Sequence, residues 1–317
     1  MKKPSFLFLL IIGYTGLFAQ QEPQFTQYMF NKVSINPASA GVSGAVCLSG
    51  IYRNQWIGYK DSAAGNIINP RTFGIYFDMP VYAIKSGVGL TFQHNSTGAE
   101  KNIDLKLNYA YHHVFQKKHM LSFGLSFGLL FKSIDYSELK PAESDPLLQS
   151  NSIEKGTITD IGIGVHYQIF RKFYAGISAT NLLGSSAEIG APEFNLARHY
   201  YLFSGYDFEF TTKKRQKLVL TPGFLLKATS GAVKVDLNAI VTYRDFLWGG
   251  IVYRVENAMG VMAGVNYNGL RVGISYDYTM NSLFARGSRH SAEIFIKYCY
   301  PIYPGVIKKS GYNTRNL

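Results

Sequence analysis

Acidic residues are scarce in this 317-residue chain: 20 Asp and Glu stand against 32 Lys and Arg, giving a formal charge of +12. Tryptophan and cysteine each occur only twice, and 16% of residues are charged. Two cysteines exclude a disulfide-dense secreted miniprotein. No apolar run reaches the roughly 20 residues of a transmembrane helix, because Gly, Ser or charge interrupts each one after the N-terminal stretch. The seven histidines show no metal-ligand spacing, and His112 and His113 fall on opposite faces of a strand. Gly162 and Gly164 lie inside a strand pattern rather than at a strand-to-helix turn, so they form no phosphate loop. Ser, His and Asp residues are scattered without a catalytic constellation. Neither enzyme chemistry nor a metal or cofactor is expected.

What is present begins with Lys2 and Lys3, an apolar run from Phe6 to Ile12, and Leu17-Phe18-Ala19. A basic start, an apolar middle and a small residue at the cut are the signature of a secretory signal peptide. Residues 1–19 are therefore expected to be removed after Ala19. An exported basic chain seldom meets nucleic acid, which leaves an anionic membrane surface or an acidic partner. Tyr (23) and Phe (22) are abundant, as is Gly (31). An exported membrane protein without apolar helices has to be a closed barrel, since lipid cannot satisfy open sheet edges.

The two-residue period supports this. Leu121, Phe123, Leu125, Phe127, Leu129 and Phe131 share one face, while Ser122, Gly124, Ser126 and Gly128 share the other. Ile161, Ile163, Val165 and Tyr167 alternate with Gly162, Gly164 and His166, and Val272 to Thr279 repeats the pattern. Strict alternation marks strands with one apolar and one polar face. Segments of about 10–14 residues suit tilted membrane strands better than those of a soluble sandwich. The segments lie near 45–57, 71–80, 87–96, 102–115, 119–132, 158–170, 172–183, 197–211, 216–228, 232–243, 246–255, 258–267, 269–280 and 290–300. The expected fold is all-β, a transmembrane antiparallel up-and-down barrel of about 14 strands over residues 45–300. Tight connections such as Arg171-Lys172 and Arg244-Asp245 alternate with long ones such as 133–157 and 184–196. Asn268-Gly269 is a favoured hairpin pair.

Residues 20–44 precede the barrel and 301–317 form an expected C-terminal periplasmic tail. Phe25, Tyr28, Met29, Phe30, Val33 and Ile35 need burial, so the N-terminal stretch is expected to dock in the lumen or at the periplasmic rim. Cys47 and Cys299 lie on the first and last strands, which barrel closure makes neighbours. Both an interstrand disulfide and two unpaired thiols fit that placement. Arg53, Asn54, Gln55 and Trp56 cluster where the first strand ends. Arg53 suits an internal charge pair as well as a binding site, and Trp56 suits the interfacial aromatic girdle.

The segments PQFTQYMFNKVSINPASAG (Pro23–Gly41) and YRNQWIG (Tyr52–Gly58) resemble the start of the PorP/SprF family of Bacteroidetes outer-membrane proteins. DIGIGVHY (Asp160–Tyr167), RHYYLFSGYDF (Arg198–Phe208), DLNAIVTYRDFLWGGIVYR (Asp236–Arg254) and LRVGISYDYT (Leu270–Thr279) extend the likeness to about Tyr300. The resemblance implies a role in type IX secretion and gliding, with export or surface attachment of a secreted adhesin. Its implied partners are outer-membrane lipid, periplasmic ring and peptidoglycan-binding components, and the adhesin, with no nucleic acid. It also marks Gln24, Phe25, Tyr28, Phe30, Asn36, Pro37, Arg53, Asn54, Gln55 and Trp56 as partner-docking or plug residues. The alternative is a porin or transporter for a small or hydrophobic solute.

Overall fold

A computed structural model of the chain describes residues 22–59, 69–116, 118–138, 153–170, 172–189, 193–212, 215–280 and 289–302. The expected signal peptide, with its cut after Ala19, lies outside the described residues, as does the expected tail from residue 303. Period-two sequence becomes fourteen barrel strands. They are β1 Ala45–Asn54, β2 Arg71–Val81, β3 Ser86–Thr97, β4 Glu100–Phe115, β5 His119–Asp135, β6 Ile153–Ile169 and β7 Phe173–Thr180. They continue as β8 (His199–Tyr206 with Phe208–Thr211), β9 Lys217–Thr229, β10 Ala232–Tyr243, β11 Leu247–Arg254, β12 Ala258–Tyr267, β13 Leu270–Thr279 and β14 His290–Pro301. Each pairs antiparallel with its sequence neighbours, and β1 pairs with β14 over ten residues from Ala45↔Pro301 to Asn54↔Ala292. The barrel is closed, each strand pairing with a neighbour on both sides.

The break inside β8 follows from proline. Asp207 donates its N–H to the Lys172 carbonyl on the β7 side, 2.8 Å away. Its neighbour Tyr206 therefore turns its backbone groups toward β9. The β9 register places Pro222 opposite Tyr206, and proline has no N–H to complete the ladder. Thr221 bridges the gap by donating from Oγ1 to the Asp207 carboxylate at 2.7 Å. β1 ends at Asn54, three residues short of the extent predicted from alternation, because Trp56 takes a left-handed backbone with φ 51°.

Leu48, Ile75, Leu107, Leu125, Ile163, Ile177, Ile251, Ile274 and Ile294 form an exposed outward apolar belt. Exposed strand tyrosines sit near the strand ends. Tyr109, Tyr111, Tyr267, Tyr298 and Tyr300 stand at one end, and Tyr52, Tyr200, Tyr253, Tyr276 and Tyr278 at the other. An apolar belt between two aromatic girdles is the surface a bilayer requires. The first group shares its end with tight turns, including Asn268-Gly269 with both φ positive. In outer-membrane barrels this turn end faces the periplasm. The long connections leave from the other, loop end, where β3–β4, β9–β10 and β11–β12 are nonetheless joined by short turns.

Cys47 and Cys299 face each other across the β1–β14 seam and are disulfide-bonded, with Cα atoms 4.1 Å apart. Cys299 donates its N–H to the carbonyl of Gly269, in the turn just before β13, so the cysteines form a non-hydrogen-bonded pair, in which the Cα atoms come closest. The bond links residues 252 apart in sequence. Cys47→Ser is expected to cost about 2–5 kcal/mol. It should lower the temperature at which the barrel changes its mobility in denaturing gels, and reductant should do the same to the parent. An unchanged midpoint in both would deny the seam bond a stabilising role.

Candidate functional site

Residues 22–44 lie within the barrel, running from the turn end at Gly44 to Glu22 in the loop-end half, and they fold as three short 3-10 turns. Asn36 starts the last turn. Its side-chain oxygen accepts the Ala38 N–H at 2.9 Å, and Pro37 takes the first turn position, where its missing N–H costs nothing. The Asn36 amide nitrogen donates to the carbonyls of Val165 on β6 (3.0 Å) and Ile177 on β7 (3.3 Å). Gly41, with φ +71°, donates its N–H to the Asp78 carboxylate on β2 at 3.1 Å. The wall meets this stretch with glycine: a Cβ at Gly124 would fall on the backbone of Pro37 and Ala38, and one at Gly87 on the backbone of Ala40.

The apolar side chains of the segment complete two inner cores. Tyr28 and Met29 pack with Tyr201, Phe203, Leu225 and Trp248; Phe25 and Val33 pack with Ile51, Tyr76 and Phe295. Phe30 joins the two cores, its ring 4.7 Å from Trp248 and 5.8 Å from Phe295. The Tyr28 hydroxyl accepts from the Asn238 amide at 2.5 Å.

Charge fixes the segment's upper half. Arg53, inward-facing on β1, lies 2.7 Å from Asp277 on β13 and 3.2 Å from Glu293 on β14. Glu293 accepts the backbone N–H groups of Thr26 and Gln27, both at 2.9 Å. The Thr26 hydroxyl donates to Asp277 at 2.5 Å and accepts from Arg53 at 2.9 Å. The three ionic side chains are at most 4% exposed. This clasp ties residues 26 and 27 to the seam strands. Glu22 makes a second tie, with Lys106 on β4 at 3.2 Å and the donating Tyr201 hydroxyl at 2.5 Å. Burial pushes the Glu22 carboxyl up, but Lys106, His199 and Tyr201 outweigh it and hold the pKa at about 2.

The structure thus brings together Phe25, Tyr28, Phe30, Asn36, Pro37 and Arg53, with Gln24 beside a small cavity shared with Tyr201 and Leu225. Asn54, Gln55 and Trp56 stand at the loop-end rim instead. Asn54 accepts from the Asn69 amide, Gln55 donates its N–H to Pro70 at 2.8 Å, and Trp56 donates its N–H to Ser291 at 3.1 Å. The sequence reading missed Glu22, Thr26, Gln27, Asp277 and Glu293. Their available signal was inward parity: Arg53, Asp277 and Glu293 all fall on the polar face of strands that closure makes adjacent. Among the described residues no group of three or more His, Cys, Asp or Glu side chains is placed to hold a metal ion.

A family model described as "Type IX secretion system membrane protein PorP/SprF" matches residues 17–298. No curated protein matches. Among solved structures, the chain is similar to the Pseudomonas putida toluene transporter TodX at 7% identity and TM-score 0.48, covering 85% of this chain and 93% of that one. It is similar to the Ralstonia pickettii toluene transporter TbuX at 10% identity and TM-score 0.48, covering 84% and 93%. It is also similar to the Acinetobacter baumannii outer membrane protein Omp33 at 7% identity and TM-score 0.47, covering 81% and 100%.

Proposed function

This chain belongs to the PorP/SprF family of type IX secretion system membrane proteins, and from that premise we propose that it is a non-enzymatic barrel supporting export or surface attachment of a secreted adhesin while docking periplasmic machinery. Family and fold make it an outer-membrane component of that system. The observation supporting an anchoring role over solute passage is the lumen itself. It is occupied by residues 22–44, which are tied by Asn36 to β6 and β7 and by Thr26 and Gln27 to β14. A solute channel would require that segment to leave two apolar cores and two ionic ties. Phe25, Tyr28, Phe30, Asn36, Pro37 and Arg53 serve as plug residues in this reading, with Gln24 beside them. Asn54, Gln55 and Trp56, at the outer rim, are placed to meet surface partners.

The test compares the surface and culture-medium proteome of a strain lacking the gene with its parent. Selective loss of one large adhesin is the expected result and supports a dedicated role. Loss of the entire secreted set would make the chain a core component. An unchanged proteome would refute the secretion role.

A further inference from the structure

The cations of the lumen divide into two populations. In the loop-end half, Arg53, Lys106, Lys227 and Arg254 each lie within 3.2 Å of a carboxylate. At the turn end, Lys32, Lys118, Lys172, Arg271 and Lys297 line one cavity of about 1020 Å³. Among the described residues, none of these five has a carboxylate oxygen within 4.0 Å. Their contacts are neutral: Lys32 lies 3.2 Å from the centre of the Tyr174 ring, and Arg271 lies 4.5 Å from that of Phe30. Arg271 also donates to the Asn266 side chain at 2.7 Å, and Lys297 to the Phe30 carbonyl at 3.1 Å.

The three carboxylates in the same wall act on these cations only beyond ion-pair distance, Asp78 on Lys297 and Asp207 on Lys32, and each has a closer partner. Asp78 takes the Gly41 N–H, Asp207 takes the Thr221 hydroxyl, and Glu209 lies 3.8 Å from Lys217. Five cations thus converge on a confined cavity that holds three carboxylates, an excess that is unfavourable unless a further anion joins them. Burial, and to a smaller extent Lys297 and Arg271, lowers the Lys32 pKa to about 7, while Asp207 acts the other way.

We propose that this turn-end vestibule binds an acidic peptide segment of a periplasmic protein, its carboxylates meeting Lys32, Arg271 and Lys297 and its apolar side chains meeting Phe30, Tyr174 and Tyr206. The volume is at the upper end of small-ligand pockets, about 1,000 Å³, and suits several residues of extended chain better than a single small anion. The aromatic walls point the same way, since inorganic anions gain nothing from them. The chain's own residues 303–317 carry Lys308, Lys309 and Arg315 with no Asp or Glu, so they repeat the vestibule's charge instead of complementing it. The proposal rests on the docking role above and names the chemistry of the docked partner.

The probe is a synthetic decapeptide rich in Asp and Glu with two Phe, titrated calorimetrically into the detergent-solubilised full-length barrel. A control peptide carries Asn and Gln in place of Asp and Glu. Binding of the acidic peptide alone, weakening as salt rises, is expected. The triple variant Lys32→Gln/Arg271→Gln/Lys297→Gln should weaken it at least about tenfold. Lys101→Gln, which removes an exposed loop-end cation paired with Glu138, should leave it within about twofold. If the triple variant fails to fold, a benzophenone-bearing acidic peptide takes its place, and crosslinks at the vestibule walls are expected in the parent. No binding at low salt, equal binding to the folded triple variant, or crosslinks confined to the loop end would each overturn the proposal. Absent binding beside an adhesin-export defect overturns the vestibule alone. Vestibule binding beside an unchanged proteome sustains the vestibule and refutes the secretion role.

Discussion

Replacing Arg53 with Met should release the upper half of the lumenal segment and convert a closed barrel into one that conducts. The guanidinium separates Asp277 from Glu293 and touches both. Without it, two carboxylates less than 5% exposed face each other with no counter-charge, and removing one member of a buried ionic cluster costs about 3–5 kcal/mol. Relief comes by protonating a carboxyl or by admitting water. Either weakens Glu293 as acceptor for Thr26 and Gln27, the tie that holds the segment against the seam. The expected readouts are channel openings in planar bilayers and cleavage near residue 26 by added protease, both rare in the parent. The triple variant Arg53→Met/Asp277→Asn/Glu293→Gln removes every charge of the clasp together, so it should recover most of the lost stability, because buried ion clusters often replace at little cost. That non-additivity separates an ionic clasp from simple loss of packing. An Arg53→Met barrel as closed and as protease-resistant as the parent would remove the clasp from the account.

How much of this was legible in the sequence depended on the range of the interaction. Alternation is local, so the fourteen strands and the Asn268-Gly269 turn could be read directly. Two departures from the alternation have different causes. Pro222 interrupts β8 only because it falls opposite Tyr206, and pairing register is not visible along one strand. Trp56 continues the polar–apolar alternation while its backbone has already turned. The lumenal segment was legible only as a need for burial, through Phe25, Tyr28, Met29 and Phe30. Its seat was not, because Asn36 binds strands about 130 and 140 residues away and Thr26 binds one beyond 260. The wall glycines were misleading in a different way. In Ser122-Phe123-Gly124 and Gly162-Ile163-Gly164 they read as the small, polar-side members of an alternating strand, and nothing in that pattern separates filler from a seat for another backbone.

Gly124 and Gly128 make that separation measurable. Both face inward on β5, four residues apart. A Cβ at Gly128 would meet chiefly the Lys106 side chain at 3.2 Å, and a flexible methylene can yield. At Gly124 the added carbon would come as close as 2.5 Å to the Ala38 Cα and the Pro37 carbonyl carbon, which belong to a backbone and cannot rotate away. Either β5 or the segment must move. β5 is paired along its length with both β4 and β6, whereas the 3-10 turn from Pro37 to Ser39 is held to the wall only by packing and a few side-chain hydrogen bonds, those of Asn36, of Ser39 with His166 at 3.0 Å and of Ser178 with the Ile35 carbonyl at 2.6 Å. The segment should yield, and overpacking of this kind costs about 1–3 kcal/mol. Gly124→Ala is therefore expected to keep the barrel's gel mobility and strand content while raising conductance above the parent's, with Gly128→Ala remaining closed. Conductance in Gly128→Ala equal to that in Gly124→Ala would mean that any crowding of the lumen opens it. Closure in both would mean that the wall gives way before the segment, and the segment would then be a fixed part of the barrel core.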